Sequence, residues 1–182
     1  MKRLTVNKST TEQDLLEKLE PVLLELGYEC RDVEVMTGGS VCVRVTLDMA
    51  KGPNGKRPTI SIEDCTKVHR VISPMFDVWD PFPGAYSLEM SSPGEHPPLR
   101  LMEHFQEALG GKIRFQTTEA IEVPAPAKPR KKWEGILETV SEADESIGLK
   151  DLQGLYQIPL AMIRDATWLQ EWTVQDTKNQ EK

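Results

Sequence analysis

The sequence predicts an α+β chain: an N-terminal unit of order α-β-β-α-β followed by a small C-terminal β-barrel. Three observations carry this. Residues 11–26 place Leu15, Leu16, Leu19, Val22, Leu23 and Leu26 at helical spacing. Residues 28–36 and 41–48 alternate valines with polar residues on either side of Gly38-Gly39-Ser40. Beyond Gly110-Gly111 the pattern changes to several short strands separated by turn residues, which suggests a barrel.

The first helix is expected over residues 11–26. Thr10 with Gln13 three residues on suits a capping box, and Gly27 supplies the stop. Pro21 inside the pattern is expected to kink the helix or leave a loose turn. The hairpin that follows has its register set by its faces. Pairing Val35 with Val43 and Val33 with Val45 puts four valines on one side and sets Glu34 opposite Arg44. A slip of one residue would mix valines with charges. Residues 50–59 form a Gly/Pro loop carrying Lys51, Lys56 and Arg57. Ser61 then caps a second helix, with Glu63 and Asp64 in its first turn. Its apolar stripe is Cys65, Val68, Val71, Ile72 and Met75. Past Asp80–Gly84, residues 85–91 alternate again, with Tyr86, Leu88 and Met90 on one side. This order gives a sheet with two helices on one face.

Ser91-Ser92-Pro93-Gly94 closes that unit, and Pro97-Pro98 follows. The expected domains are 1–92, an inter-domain turn at 93–97, a barrel over 98–174 led by a short helix at 101–109, and a polar, disordered tail at 175–182. Barrel strands are expected at 112–117, 132–140, 146–149, 156–159 and 167–172. The loop 122–131 is Pro-rich, extended and basic at its end.

Composition narrows the function. The 22 Lys and Arg against 29 Asp and Glu leave a net charge of −7 over 182 residues. Neither half is basic, which argues against tight, sequence-tolerant nucleic-acid binding over the whole surface but allows a local basic patch or a basic protein partner. No apolar run approaches the ~18 residues of a membrane helix, and the start of the chain lacks the apolar stretch of a secretory signal. The three cysteines, Cys30, Cys42 and Cys65, are an odd, widely spaced set that fits a reducing cytosol better than a disulfide scaffold.

Catalytic and metal chemistry find little support. Cys65 and His69 are four apart on the second helix, but no further ligand completes a zinc set, and Cys65 belongs to the apolar stripe. His69, His96 and His104 lie in no catalytic pattern, and His104 sits on a short, exposed-looking helix. No phosphate-cradling P-loop exists. Gly52-Pro53-Asn54-Gly55 matches GxxG by letters, but it follows a strand and reads as a loop. Two basic patches stand out: Lys51, Lys56 and Arg57 in one loop, and Lys128, Arg130, Lys131 and Lys132 beside Trp133 in another. Each can neutralise phosphate, with Trp133 stacking on a base, or be solvated loop charge with Trp133 in the barrel core. Ser91–Gly94 reads as a turn between domains, with backbone N–H groups that also suit an anion.

The segment Asp80-Pro81-Phe82-Pro83-Gly84-Ala85-Tyr86-Ser87-Leu88-Glu89-Met90-Ser91-Ser92-Pro93-Gly94 resembles the central motif of the bacterial ribosome maturation factor family RimP. Glu20-Pro21-Val22, Leu26-Gly27-Tyr28-Glu29, Ile60–Cys65, Ile158-Pro159, Ile163 and Ala166 agree with it, so the resemblance spans roughly residues 11–170. After Gly94 the chain departs. Where the family has an acid and then Arg, this sequence has His96 and Pro97, leaving Arg100 as a substitute, and its 122–131 loop is longer and richer in proline.

The resemblance implies an SH3-like or Sm-like C-terminal barrel and a non-enzymatic, cytoplasmic role in maturing the small (30S) ribosomal subunit. It implies binding to free subunits and help in incorporating the strongly basic decoding-centre ribosomal protein, without cofactor, metal or small-molecule substrate. An acidic chain suits a basic partner. The expected rRNA contacts are Lys128, Arg130, Lys131 and Lys132. The expected protein contacts are Glu34, Asp48, Glu63 and Asp64, and the expected state is a monomer. An Sm-like module acting on other RNAs and a hydrolase or metal enzyme are the competing readings.

Overall fold

A computed structural model describes residues 8–52, 57–123 and 128–170. It divides after Gly94 into two units.

The first unit runs α1 (Thr10–Glu25), β1 (Tyr28–Met36), β2 (Val41–Met49), α2 (Ile62–Trp79) and β3 (Tyr86–Ser91). Its sheet order is β1-β2-β3. β1 and β2 pair as a hairpin, with Val33 on Val45, Glu34 on Arg44 and Val35 on Val43, the register that the valine faces predict. α2 carries the chain back along the sheet, so β3 joins β2 in parallel. A bulge between Cys30 and Asp32 inserts Arg31 and turns Cys30 into the core opposite Leu47. Leu15, Leu16, Leu19 and Leu23 of α1 and Val68, Ile72 and Phe76 of α2 complete that core. A fully buried Leu contributes roughly 1.5–3 kcal/mol.

Local expectations shift at three points. The α1 capping box is Ser9 with Glu12, one residue earlier than Thr10 with Gln13. Glu12 N–H donates to Ser9 Oγ at 3.2 Å, and Ser9 N–H donates to Glu12 Oε2 at 2.8 Å. Glu12 prevails because its other oxygen accepts the Val35 N–H at 2.9 Å, so one carboxylate both caps the helix and fastens it to β1. Pro21 neither ends nor loosens the helix, which runs unbroken to Glu25. Pro21 and Glu17 are exposed, so the Glu17 carbonyl that loses its intrahelical donor faces water. In α2 the buried stripe shifts: Phe76 is buried and Val71 is exposed.

The second unit contains α3 (Met102–Glu107), β4 (Lys112–Ile121), β5 (Arg130–Ser141), β6 (Ser146–Asp151), β7 (Gly154–Pro159), a 3-10 turn (Leu160–Met162) and β8 (Ile163–Leu169). All its strand pairs are antiparallel, in the order β7-β6-β5-β4-β8. Among the described residues no ladder joins β7 to β8, so the hydrogen bonding does not close into the expected barrel. All five strands nevertheless supply one core, including Ile113, Phe115, Trp133, Leu137, Ile147, Leu149, Ile158, Ile163 and Ala166. Residues 97–99 lie along β8, where Trp168 N–H donates to the Pro97 carbonyl at 3.0 Å and Leu99 N–H donates to the Ala166 carbonyl at 2.9 Å. This pairing needs no donor from residue 97 or 98, so the Pro97-Pro98 pair fits it.

β4 and β5 extend further toward each other than the sequence pattern indicates, and β8 starts at Ile163 rather than 167. The Pro-rich loop is correspondingly shorter, and Arg130, Lys131 and Lys132 lie on a strand. His104 is fully buried, not exposed. Its Nδ1 accepts backbone N–H groups of Arg100 at 3.1 Å and Leu101 at 3.3 Å, doing at this helix start what the N3 Glu or Gln of a capping box does elsewhere. Gly135 allows β5 and β6 to cross closely, because a Cβ there would run into the Lys150 carbonyl.

Gly135→Ala should therefore cost about 1–3 kcal/mol or more, the range for overpacking a rigid neighbour. Gly38→Ala, where nothing lies within 4 Å of the added carbon, should stay within about 0.5 kcal/mol. Urea midpoints of the two variants measure the difference.

Candidate functional site

The carboxylates expected to meet a basic protein differ in availability. Glu34 is exposed on the sheet face away from the valines, and Glu63 is exposed in the first turn of α2. Asp48 is not free for a partner: it holds buried Arg31, whose Nε and guanidinium nitrogen donate to Asp48 Oδ2 at 3.0 and 2.9 Å. Arg57 extends this network. It donates to Glu29 at 2.6 Å and to the Met49 carbonyl at 2.7 Å, drawing the far end of the 50–59 loop onto the β1–β2 pair. The bulge that buries Arg31 is what requires these partners, since a guanidinium removed from water must be paired.

Asp64 is also committed. Its Oδ2 accepts the Ser61 N–H at 2.9 Å, and its Oδ1 accepts the Tyr28 hydroxyl at 2.7 Å. The Ser61 side chain and backbone, then Tyr28, hold its carboxyl below the usual value. Burial, and then the Asp64 hydrogen bond, push the Tyr28 hydroxyl up to about 12. Asp64 is thus a cap and a strand-to-helix tie.

The basic segment divides in the same way. Lys128 is exposed ahead of β5. Lys131 and Lys132 are exposed on β5, and Lys131 Nζ donates to the Thr118 carbonyl at 2.9 Å. Arg130 instead turns inward, where it donates to the Asp151 carboxylate and lies 4.0 Å from the Trp133 ring centroid. Trp133 is 1% exposed and stacks on Phe115. It is a core residue, so it cannot serve as a base-stacking platform.

The remaining sites are mainly structural. Ser91 ends β3, its hydroxyl donates to the Ser92 carbonyl at 3.0 Å, and Gly94 takes φ 65°, a value that favours glycine. Cys65 and His69 are half-buried on α2. Among the described residues no group of three or more His, Cys, Asp or Glu comes together as a metal site. Lys56 and residues 53–55 of the GxxG stretch lie outside the described residues, as do positions 171–182, which include the end of the last expected strand and the tail.

One node was absent from the sequence reading. Lys8, just ahead of α1, reaches Asp32 at 2.8 Å and the Val33 carbonyl at 2.5 Å, with Glu12 at 3.9 Å. It occupies the β1 bulge beside the Glu12–Val35 bond. The signal in the sequence was the adjacent pair Arg31-Asp32: neighbouring strand residues point to opposite faces, so one of the two charges turns inward and needs a partner.

Residues 18–96 match the family model of the RimP N-terminal domain. Over this stretch the chain is similar to the RimP family. The match takes in the second half of α1 and the rest of the first unit, including the Asp80–Gly94 motif, and this similarity points to ribosome maturation.

Glu12 and Asp151 give the protein acid sensitivity. Burial raises the Glu12 carboxyl, but bonds from the Val35 and Ser9 N–H groups outweigh it and leave it below its ordinary 4.5. Asp151 likewise resists burial through Arg130 and the Gln153 N–H, and stays below 3.8. Groups depressed in the folded state add stability above their unfolded values and lose it as pH falls through the folded ones. Stability should therefore decline below about pH 4.5. Glu12→Gln should remove about 1–3 kcal/mol at pH 7 and flatten that acid limb in urea titrations from pH 7 to 3. A Glu12→Gln acid limb as steep as wild type would contradict the assignment.

Proposed function

We propose that this chain is a non-catalytic assembly factor for the small (30S) ribosomal subunit. It acts in the cytoplasm as a monomer, binds free subunits and aids incorporation of the basic decoding-centre ribosomal protein. The observation that carries this reading is the RimP N-terminal match with its Asp80–Gly94 motif. The family is one of assembly factors associated with the small subunit.

In this reading the two units form separate domains joined at residues 93–97, and the second is an SH3-like barrel. Five antiparallel strands supplying a single core support that description. Contact with rRNA falls to the exposed start of β5, at Lys128, Lys131 and Lys132. A chain of net charge −7 is repelled by phosphate at long range, so phosphate neutralisation must be local. Glu34 and Glu63 present exposed carboxylates to the basic protein. Asp48 and Asp64 serve their own domain.

Replacing Lys128, Lys131 and Lys132 together with Ala should weaken binding to purified free small subunits. It should also flatten the log-affinity against log-salt slope by about 2 units, at roughly 0.7 per lost phosphate contact. The fold should survive, since these side chains lie outside the core. An unchanged affinity and slope would move the contact elsewhere. In sucrose gradients, a strain lacking the protein should accumulate free subunits with unprocessed small-subunit rRNA, and the triple variant should rescue it only in part. A normal profile in the deletion strain would refute the function itself.

A further inference from the structure

We infer that Arg130 is a positioning residue rather than a phosphate ligand: caged by Trp133 and Tyr156 and paired with Asp151, it fixes the basic start of β5 to the β6–β7 turn. This inference rests on the proposed rRNA contact for its role, but its geometry stands independently.

The Arg130 guanidinium carbon lies 4.0 Å from the Trp133 ring centroid and 5.2 Å from that of Tyr156. The two rings meet edge-on, with centroids 5.2 Å apart. Phe115 stacks on Trp133 at 6.0 Å and 9°, so the cage is backed by the core and cannot follow a moving side chain. The guanidinium donates to Asp151 Oδ2. Asp151 Oδ1 accepts the backbone N–H groups of Gln153 at 2.7 Å and Gly154 at 3.1 Å. The carboxylate is therefore set by the turn before the arginine arrives. Arg130 thereby joins the first residue of β5 to the tip between β6 and β7.

This arrangement is poor for holding an rRNA phosphate. A guanidinium reaching outward would have to leave two ring faces and a carboxylate. A phosphate brought inward would meet the negative charge of Asp151. Lysines 128, 131 and 132 remain exposed around it, projecting from backbone that Arg130 holds. The cage also selects arginine over lysine, because a planar, delocalised cation stacks on an aromatic face while one of its N–H groups still reaches a carboxylate. Arg130 Nε and Trp133 Nε1 are buried with no acceptor in the protein. The joint therefore depends on ring stacking and on Asp151.

The test uses the full chain with purified free small subunits across a salt series. Arg130→Met keeps an apolar stem on Trp133 and removes the charge, and Asp151→Asn removes the anchor. A positioning role predicts that each weakens binding three- to tenfold with the wild-type salt slope, and that the double variant is no worse than either single. A ligand role predicts that Arg130→Met flattens the slope by about 0.7 unit and that Asp151→Asn, which releases the arginine, tightens binding; either result overturns the proposal. If either variant loses its folded spectrum, Arg130→Lys decides. It should weaken binding as Arg130→Met would if stacking matters, and behave like wild type if only charge matters. A readout without ribosomes separates this inference from the proposed function. The Trp133 indole N–H resonance, assigned with Trp133→Phe, should shift alike in Arg130→Met and Asp151→Asn. If wild-type chain binds no subunits but these resonances shift, the rRNA reading fails and the joint stands. If Asp151→Asn leaves the resonance unmoved, there is no joint.

Discussion

A three-stranded sheet with both helices on one side has a single face to bury, so the register of β1 on β2 governs the first unit. Val33, Val43 and Val45 are fully buried in that register, and a one-residue slip would put Glu34 and Arg44 among the leucines of α1. Other features follow from it. The register brings the Val35 N–H to Glu12, which locks the start of α1. It places Arg44 beside Glu89, where the guanidinium reaches the carboxylate at 3.1 Å across the parallel pair. It also leaves the bulge at Arg31 as the one place where strand length is absorbed, and so creates the need for Asp48, Glu29 and Arg57.

The second unit meets a different constraint. Five strands must share one core, so backbones approach closely at Gly135 and Gly148, where an added carbon would strike Lys150 and Thr139. Polar groups drawn inward need partners. His104 becomes a helix cap through an unprotonated Nδ1, and Arg130 becomes a cation between aromatic rings. In both units, charged or polar residues that look like functional candidates in one dimension turn out to be internal ties: Asp48, Asp64, His104 and Arg130.

That sorting explains what could be read from the sequence. The strands of the first unit and the hairpin register were legible because alternation and valine faces are local and redundant. The Asp80–Gly94 motif was legible because it is long and unbroken. The extensions of β4 and β5 were not, because Thr117, Thr118, Glu119 and the lysines after Pro129 carry no apolar alternation; pairing with each other and with β8 makes them strands. The capping box moved by one residue because Glu12 has a tertiary donor in Val35, which no window around α1 contains. Arg130 read as a loop charge because its partners, Trp133, Asp151 and Tyr156, converge only once the sheet is formed.

In the proposed reading, exposed lysines at the start of β5 contact rRNA, and Glu34 and Glu63 contact a basic ribosomal protein. Cross-linking of the full chain on free small subunits, read residue by residue by mass spectrometry, tests this most directly. The account predicts ultraviolet cross-links to rRNA at Lys128, Lys131 or Lys132 and none at Arg130, together with zero-length carboxylate-to-amine cross-links from Glu34 or Glu63 to a single basic ribosomal protein. Cross-links to rRNA concentrated at Arg130, or protein cross-links that avoid both glutamates, would contradict it.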